Sequence, residues 1–140
     1  MQKIKFNYID VHFSYTKKRE LKKFIEFLFK EERKPLTIIN YIFCSDNYLI
    51  EINRKFLQHD DYTDIITFDL SEPKQPIVGE IYISTKRVKE NAEKFGVDFN
   101  SELRRVIIHG VLHLIGYKDK SKTEKALMRK KEDTYLSLWP

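Results

Sequence analysis

Around the stretch HGVLHLIGYKD (109–119), the residues Ile107, Ile108, Val111, Leu112, Leu114 and Ile115 put apolar side chains on every side of a helix. A helix that is hydrophobic all round belongs in the interior, with the rest of the chain built about it. Two histidines, His109 and His113, interrupt this one, four residues apart. Histidine is only of intermediate burial tendency, and each ring nitrogen of a buried imidazole needs a partner. What these two rings face is therefore the first question the sequence poses.

The elements on either side follow from periodicity and capping. IKFNY alternates apolar and polar residues, as a half-buried strand does. Thr16 is positioned to cap a helix through KKRELKKFIEFLFKEER, with Leu21, Phe24, Ile25 and Leu28 on one stripe, and Pro35 ends it. LTIINYIFC follows as a strand. Ser45 caps DNYLIEINRKFL, whose Leu49, Ile52 and Phe56 recur at helical spacing. The polar loop QHDDYT leads to the strand DIITFDL, a turn with two prolines, and the returning strand IVGEIYIS of a hairpin. Ser84 caps TKRVKENAEKF, which Gly96 closes. Asn100 or Ser101 starts SELRRVIIHGVLHLI, and Gly116 stops it. Ser121 and Glu124 form a capping box for the last helix, with Ala126, Leu127, Met128 and Leu136 as its apolar residues. The order β-α-β-α-β-β-α-α-α predicts one α/β (α+β) domain over residues 1–140: a mixed sheet of about four strands with a β-hairpin, and about five helices packed on it.

Composition narrows the class. The chain of 140 residues is 41% hydrophobic and 14% aromatic, enough for a substantial core. Lysine and arginine outnumber the acids 26 to 21, for a net charge of +5, which fits a phosphate-bearing partner without specifying one. The single cysteine, Cys44, has no intrachain disulfide partner and favours a reducing compartment. MQKIKFNYID lacks the apolar core of a secretion signal, and no run is long enough for a membrane span. A soluble cytoplasmic protein is expected.

In a helix, His109 and His113 lie one above the other on the same face. Two imidazoles so placed can converge on one metal ion, or they can be core histidines bonded to backbone carbonyls. Gly116 lets the chain reverse after His113, and Asp119 then offers a carboxylate to the same ion. Zinc suits this donor set, as nickel or iron also would. Gly110 stands where H-E-x-x-H proteases carry their general base, so a peptidase of that kind is disfavoured.

HGVLHLIGY closely resembles the H-G-x-L-H-L-x-G-Y signature of the YbeY family of bacterial ribosomal-RNA maturation factors. INRKF and YTDIITF resemble the family's L-N-x-x-Y-R and T-D-V-L-S-F segments, and VGEIYIS its G-D-I strand. The likeness covers nearly the whole chain. It implies a metal-dependent, single-strand-specific endoribonuclease in small-subunit rRNA 3′-end maturation and ribosome quality control. It also implies one zinc ion per chain, held by His109, His113 and a third ligand ten residues after the first. The implied partners are single-stranded or pre-ribosomal RNA, the small ribosomal subunit and its assembly factors.

Two departures stand out. The family's third histidine is replaced by Asp119, a carboxylate that keeps the metal–donor distance and adds a negative charge. The family's arginine aligns with Leu57, which cannot hold a phosphate. Arg54 and Lys55 on the same helix, and Arg104 and Arg105 ahead of the histidines, are the candidate phosphate contacts. Thr63, Asp64 and Glu80 follow family motifs and are expected to line the cleft. The aromatics do not, by spacing, identify a stacking platform, and His12 and His59 read as solvated. Two rival readings stay open: a non-catalytic assembly factor with a structural metal, and a metal-dependent hydrolase of another substrate.

Overall fold

The computed structural model describes residues 3–139. Of the expected domain over 1–140, Met1, Gln2 and Pro140 lie outside the described residues. The elements are β1 (Ile4–Ile9), α1 (Lys18–Glu31), β2 (Leu36–Cys44), α2 (Asp46–Leu57), β3 (Ile65–Asp69), β4 (Ile77–Ser84), α3 (Thr85–Phe95), α4 (Phe99–Ile115) and α5 (Lys122–Leu138). The four strands form one sheet in the order β1-β2-β4-β3. β1 with β2 and β2 with β4 are parallel, while the hairpin β3–β4 is antiparallel. The sheet is thus mixed, in an α+β domain.

Strand alternation assigns each side chain to one of two cores. Ile39, Tyr41 and Phe43 of β2, with Ile81 and Ile83 of β4, face the larger core together with α1, α4 and α5. Ile42 and Cys44 face the other way and pack with Leu49 and Ile66 under α2. There the Cys44 thiol is buried, and desolvation, followed by the charges of Asp46 and Asp10, pushes its pKa up to about 12. Such a thiol is chemically inert at neutral pH.

α4 occupies the interior position that its sequence demands. It contacts β3 and β4 on one side and α3 and α5 on others. Leu103, Val106, Ile107, Ile108, Val111, Leu112 and Leu114 are all buried, each contributing roughly 1.5–3 kcal/mol of transfer free energy. Close approach to the sheet is made possible by Gly79 of β4, where a Cβ would lie 2.6 Å from Leu114 Cδ1.

Local capping is as the side chains dictate at Ser45, Ser84 and Ser121, each hydroxyl accepting a backbone N–H of the first turn. Two expectations, the caps of α1 and α4, are corrected. Thr16 does not cap α1: Lys17 occupies the N-cap position with no side-chain bond. Instead the approach to the helix is held by the Tyr15 N–H donating to the Tyr8 hydroxyl, 3.2 Å. α4 is capped by Asp98, which accepts from the Ser101 N–H at 2.7 Å, so it begins before Asn100 or Ser101. In α5 the buried side is Met128, Glu132 and Tyr135; Leu136 is half-buried, while Ala126 and Leu127 are exposed. A carboxylate is turned inward there because α4 supplies its partners.

Candidate metal centre

The helical repeat of α4 places His109 and His113 on one face, their ring centroids 4.6 Å apart and nearly perpendicular. Gly116, with φ of +126°, turns the chain back, and Asp119 follows in the loop that the Ser121–Glu124 capping box anchors to α5. Three donor atoms meet: His113 Nε2 is 3.0 Å from His109 Nε2 and 3.1 Å from Asp119 Oδ2, and His109 Nε2 is 3.2 Å from the same oxygen. Around a tetrahedral zinc ion with bonds of about 2.0–2.1 Å, ligand atoms sit roughly 3.3 Å apart. The near-equilateral triangle therefore fits such an ion, as does the set of two imidazole nitrogens and one carboxylate oxygen. All three side chains are partly exposed, which leaves one side of the triangle open to the cleft.

Behind His109 lies Glu132 of α5. Its Oε2 is 2.7 Å from His109 Nδ1, and its Oε1 accepts from Arg105 at 2.8 Å. Burial alone would lower the His109 pKa, but the Glu132 hydrogen bond and the carboxylates of Glu132, Asp119 and Asp64 outweigh it and raise it. Burial likewise works against the charge on Glu132, and the bonds from His109 and Arg105 reverse the balance, so its pKa is lowered. A carboxylate on the far ring nitrogen fixes the tautomer and orientation of a metal-binding histidine. The sequence reading missed Glu132. The signal was present, an acid on the buried stripe of a helix between Met128 and Tyr135.

The triangle opens into a cleft of about 770 Å³ whose lining includes Asn53, Leu57, Thr63, Asp64, Thr67 and Asp69. Asn53 is buried and donates to the Asp61 carbonyl at 2.8 Å, holding the 58–64 loop at the rim. Asp64 is the most buried acid of this loop; desolvation dominates and raises its pKa, against His109 and the hydrogen bonds of its neighbourhood. His59, read as merely solvated, also lines the cleft.

The structure brings together His109, His113 and Asp119, and places Thr63 and Asp64 in the same cleft. Glu80 lies elsewhere: it accepts from the Tyr82 hydroxyl at 3.1 Å on the α2 side of the sheet. Arg54 is engaged by Glu51 and Asp60 on the exposed side of α2, and Lys55 lies against Phe56. Arg105 bonds Glu132 and Asp133, both at 2.8 Å, and so braces the centre from behind instead of facing the cleft. Arg104 stacks over the Trp139 ring. Gly110 faces Ile65 and Ile81 of the sheet, so a side chain at this position would meet the core.

Fold and site together define a class, small α+β domains in which two helix-borne histidines and a loop carboxylate form a group competent to hold a metal at the edge of a cleft. The chain belongs to the endoribonuclease YbeY family, which it matches over residues 4–139. It is 50% identical over 129 residues to the endoribonuclease YbeY of Cytophaga hutchinsonii, covering 92% of this chain and 90% of that one. It is 49% identical over 136 residues to that of Flavobacterium psychrophilum, covering 97% and 96%. Among solved structures it resembles the solution structure of a Thermotoga maritima protein, with a TM-score of 0.60, 30% identity, and coverage of 94% of this chain and 86% of the other.

Proposed function

We propose that this chain is a zinc-dependent, single-strand-specific endoribonuclease acting on pre-ribosomal RNA in small-subunit 3′-end maturation and ribosome quality control. It would work in the cytoplasm with the small subunit and its assembly factors. Among the described residues no helix is long and apolar enough to cross a membrane. The observation that carries the reading is the convergence of His109 Nε2, His113 Nε2 and Asp119 Oδ2 beside an open cleft, in a chain of the endoribonuclease YbeY family.

His109, His113 and Asp119 would hold one zinc ion, which would supply a Lewis acid to neutralise phosphate charge and ease deprotonation of water or a ribose 2′-hydroxyl. Glu132 accepts from His109 Nδ1–H and so keeps the Nε2 lone pair turned toward the cleft. Asp64, with its raised pKa, is the side chain in the cleft suited to receive a proton on its carboxylate and return it to the leaving oxygen. Thr63 and Asn53 fix the loop that carries it.

A second reading has its own observation. Where the family has arginine the cleft has Leu57, and among its lining residues Lys120 stands against Asp61, Asp64, Asp69 and Asp119. That balance suits a non-catalytic assembly factor whose metal pins the C-terminal segment. Cleavage of single-stranded RNA by highly purified protein, with metal analysis in parallel, separates the two. The nuclease reading expects stoichiometric zinc, and cleavage abolished by chelator and by His109→Ala. Zinc without cleavage favours the assembly factor, and no stoichiometric metal overturns both.

A further inference from the structure

Most phenylalanines of this chain belong to its cores, yet Phe56 is 57% exposed. It lies in the last turn of α2, one residue before Leu57 and three after Asn53, both of which line the cleft. Its ring meets Phe68 of β3 edge to face at 5.9 Å and 76°. Phe68 in turn meets Tyr82 at 5.7 Å and 88°. Phe68 points to the α2 side of the sheet, while its neighbours Thr67 and Asp69 line the cleft. Phe56 is thus propped where α2 meets β3, its ring resting on Phe68 and partly open to solvent. Lys55 Nζ lies 5.4 Å from its centroid.

A scattered exposed apolar side chain has no significance by itself. Phe56 differs in three respects: a supporting aromatic ladder, an adjacent cation, and a place on the last turn of α2 next to Asn53 and Leu57, which line the cleft that holds the metal-binding triangle. We propose that Phe56 is the stacking platform for an unpaired base of the RNA strand entering the cleft, with Lys55 meeting the adjoining phosphate. The inference rests on the nuclease reading above and adds to it the element that selects single strands. An aromatic ring accepts the π-face of any base, so such a platform is tolerant of sequence. Bases inside a duplex are covered on both faces by their neighbours and cannot use it. Lys55 is the cation suited to the phosphate because Arg54, beside it, is already held by Glu51 and Asp60.

The test is steady-state cleavage of a short labelled single-stranded oligoribonucleotide by the zinc-loaded protein. Phe56→Ala is expected to raise KM roughly 5- to 150-fold, the range one base stacked on an aromatic ring supports, with kcat little changed. Phe56→Trp should keep the KM, and its added indole emission should be quenched by the single strand but not by the same strand annealed to its complement. Phe95 supplies the control: it is 61% exposed, has Lys94 Nζ 6.0 Å from its ring, and lines a different cavity, beside Val97. Phe95→Ala should leave KM unchanged. If the wild type cleaves and Phe56→Ala has the wild-type KM, or Phe95→Ala raises KM as much, the stacking inference is overturned while the nuclease reading stands. If the wild type does not cleave the strand, both fall.

Discussion

Glu132 Oε2 lies 2.7 Å from Nδ1 of His109, so α5 sets the direction in which α4 presents its first ligand. Removing an outer partner of a metal-bound histidine typically lowers metal affinity 10- to 100-fold. Glu132→Ala should therefore weaken zinc binding by roughly that factor in chelator competition at fixed pH. Glu132→Gln, whose amide oxygen can still accept from Nδ1–H, should weaken it less. Equal affinity in wild type and Glu132→Ala would remove Glu132 from this role.

A second carboxylate ties distant elements without touching the centre. Glu32, just after α1, accepts from the Tyr117 hydroxyl at 2.6 Å, from Lys131 at 3.2 Å and from the Tyr135 hydroxyl. Burial raises its pKa, but these three hydrogen bonds outweigh burial and the pKa lies below its ordinary value of 4.5. A carboxylate with a depressed folded-state pKa adds stability above its unfolded value and loses it as pH falls through the folded one. Urea unfolding of chelator-treated protein should show stability falling below about pH 4.5, with a shallower fall in Glu32→Gln. Identical acid limbs in the two proteins would show that Glu32 carries none of this linkage.

The fit of α4 on the sheet depends on Gly79. An added Cβ would lie 2.6 and 2.9 Å from the two methyl carbons of Leu114, which is buried. Gly79→Ala should destabilise the fold by about 1–3 kcal/mol, as overpacking does. Leu114→Ala alone should cost about 2–5 kcal/mol. In the double variant the new methyl fills part of the space the leucine leaves, so the combined loss should fall short of the sum of the two. Strict additivity in denaturant titrations would count against the contact.

Helix capping gives a graded set. Ser45→Ala removes the acceptor of the Tyr48 N–H, 3.1 Å away, and should cost about 1 kcal/mol. Asp98→Ala should also lower the unfolding midpoint, since Asp98 is the cap of α4. Thr16→Ala should leave the midpoint where it is, because Thr16 caps nothing. A loss at Thr16 equal to that at Ser45 would contradict the observed N-terminus of α1.

What the sequence by itself determined was local. The strand LTIINYIFC, the helices after Ser45 and Ser84, the stops at Gly96 and Gly116 and the Ser121–Glu124 box involve residues within a turn or two of each other. Propensity and capping therefore specify them before any long-range contact forms. The same holds for the ligand triangle: the helical period puts His109 over His113, and a glycine turn brings Asp119 back within six residues. Tertiary packing decided the rest. The order β1-β2-β4-β3 depends on which strands pair across long stretches of chain. Glu80 faces away from the cleft because the β4 register, and not its motif, assigns its side of the sheet. Glu132 stands behind His109, twenty-three residues later, because α5 packs on α4, and that contact also draws Arg105 away from any substrate. Phe56 shares the helical spacing of Leu49 and Ile52, yet it is exposed: its ring rests on Phe68 of β3, which is the edge strand of the sheet. Short-range geometry fixed the donors of the centre, and the packing of distant elements fixed what orients them and what the cleft offers a ligand.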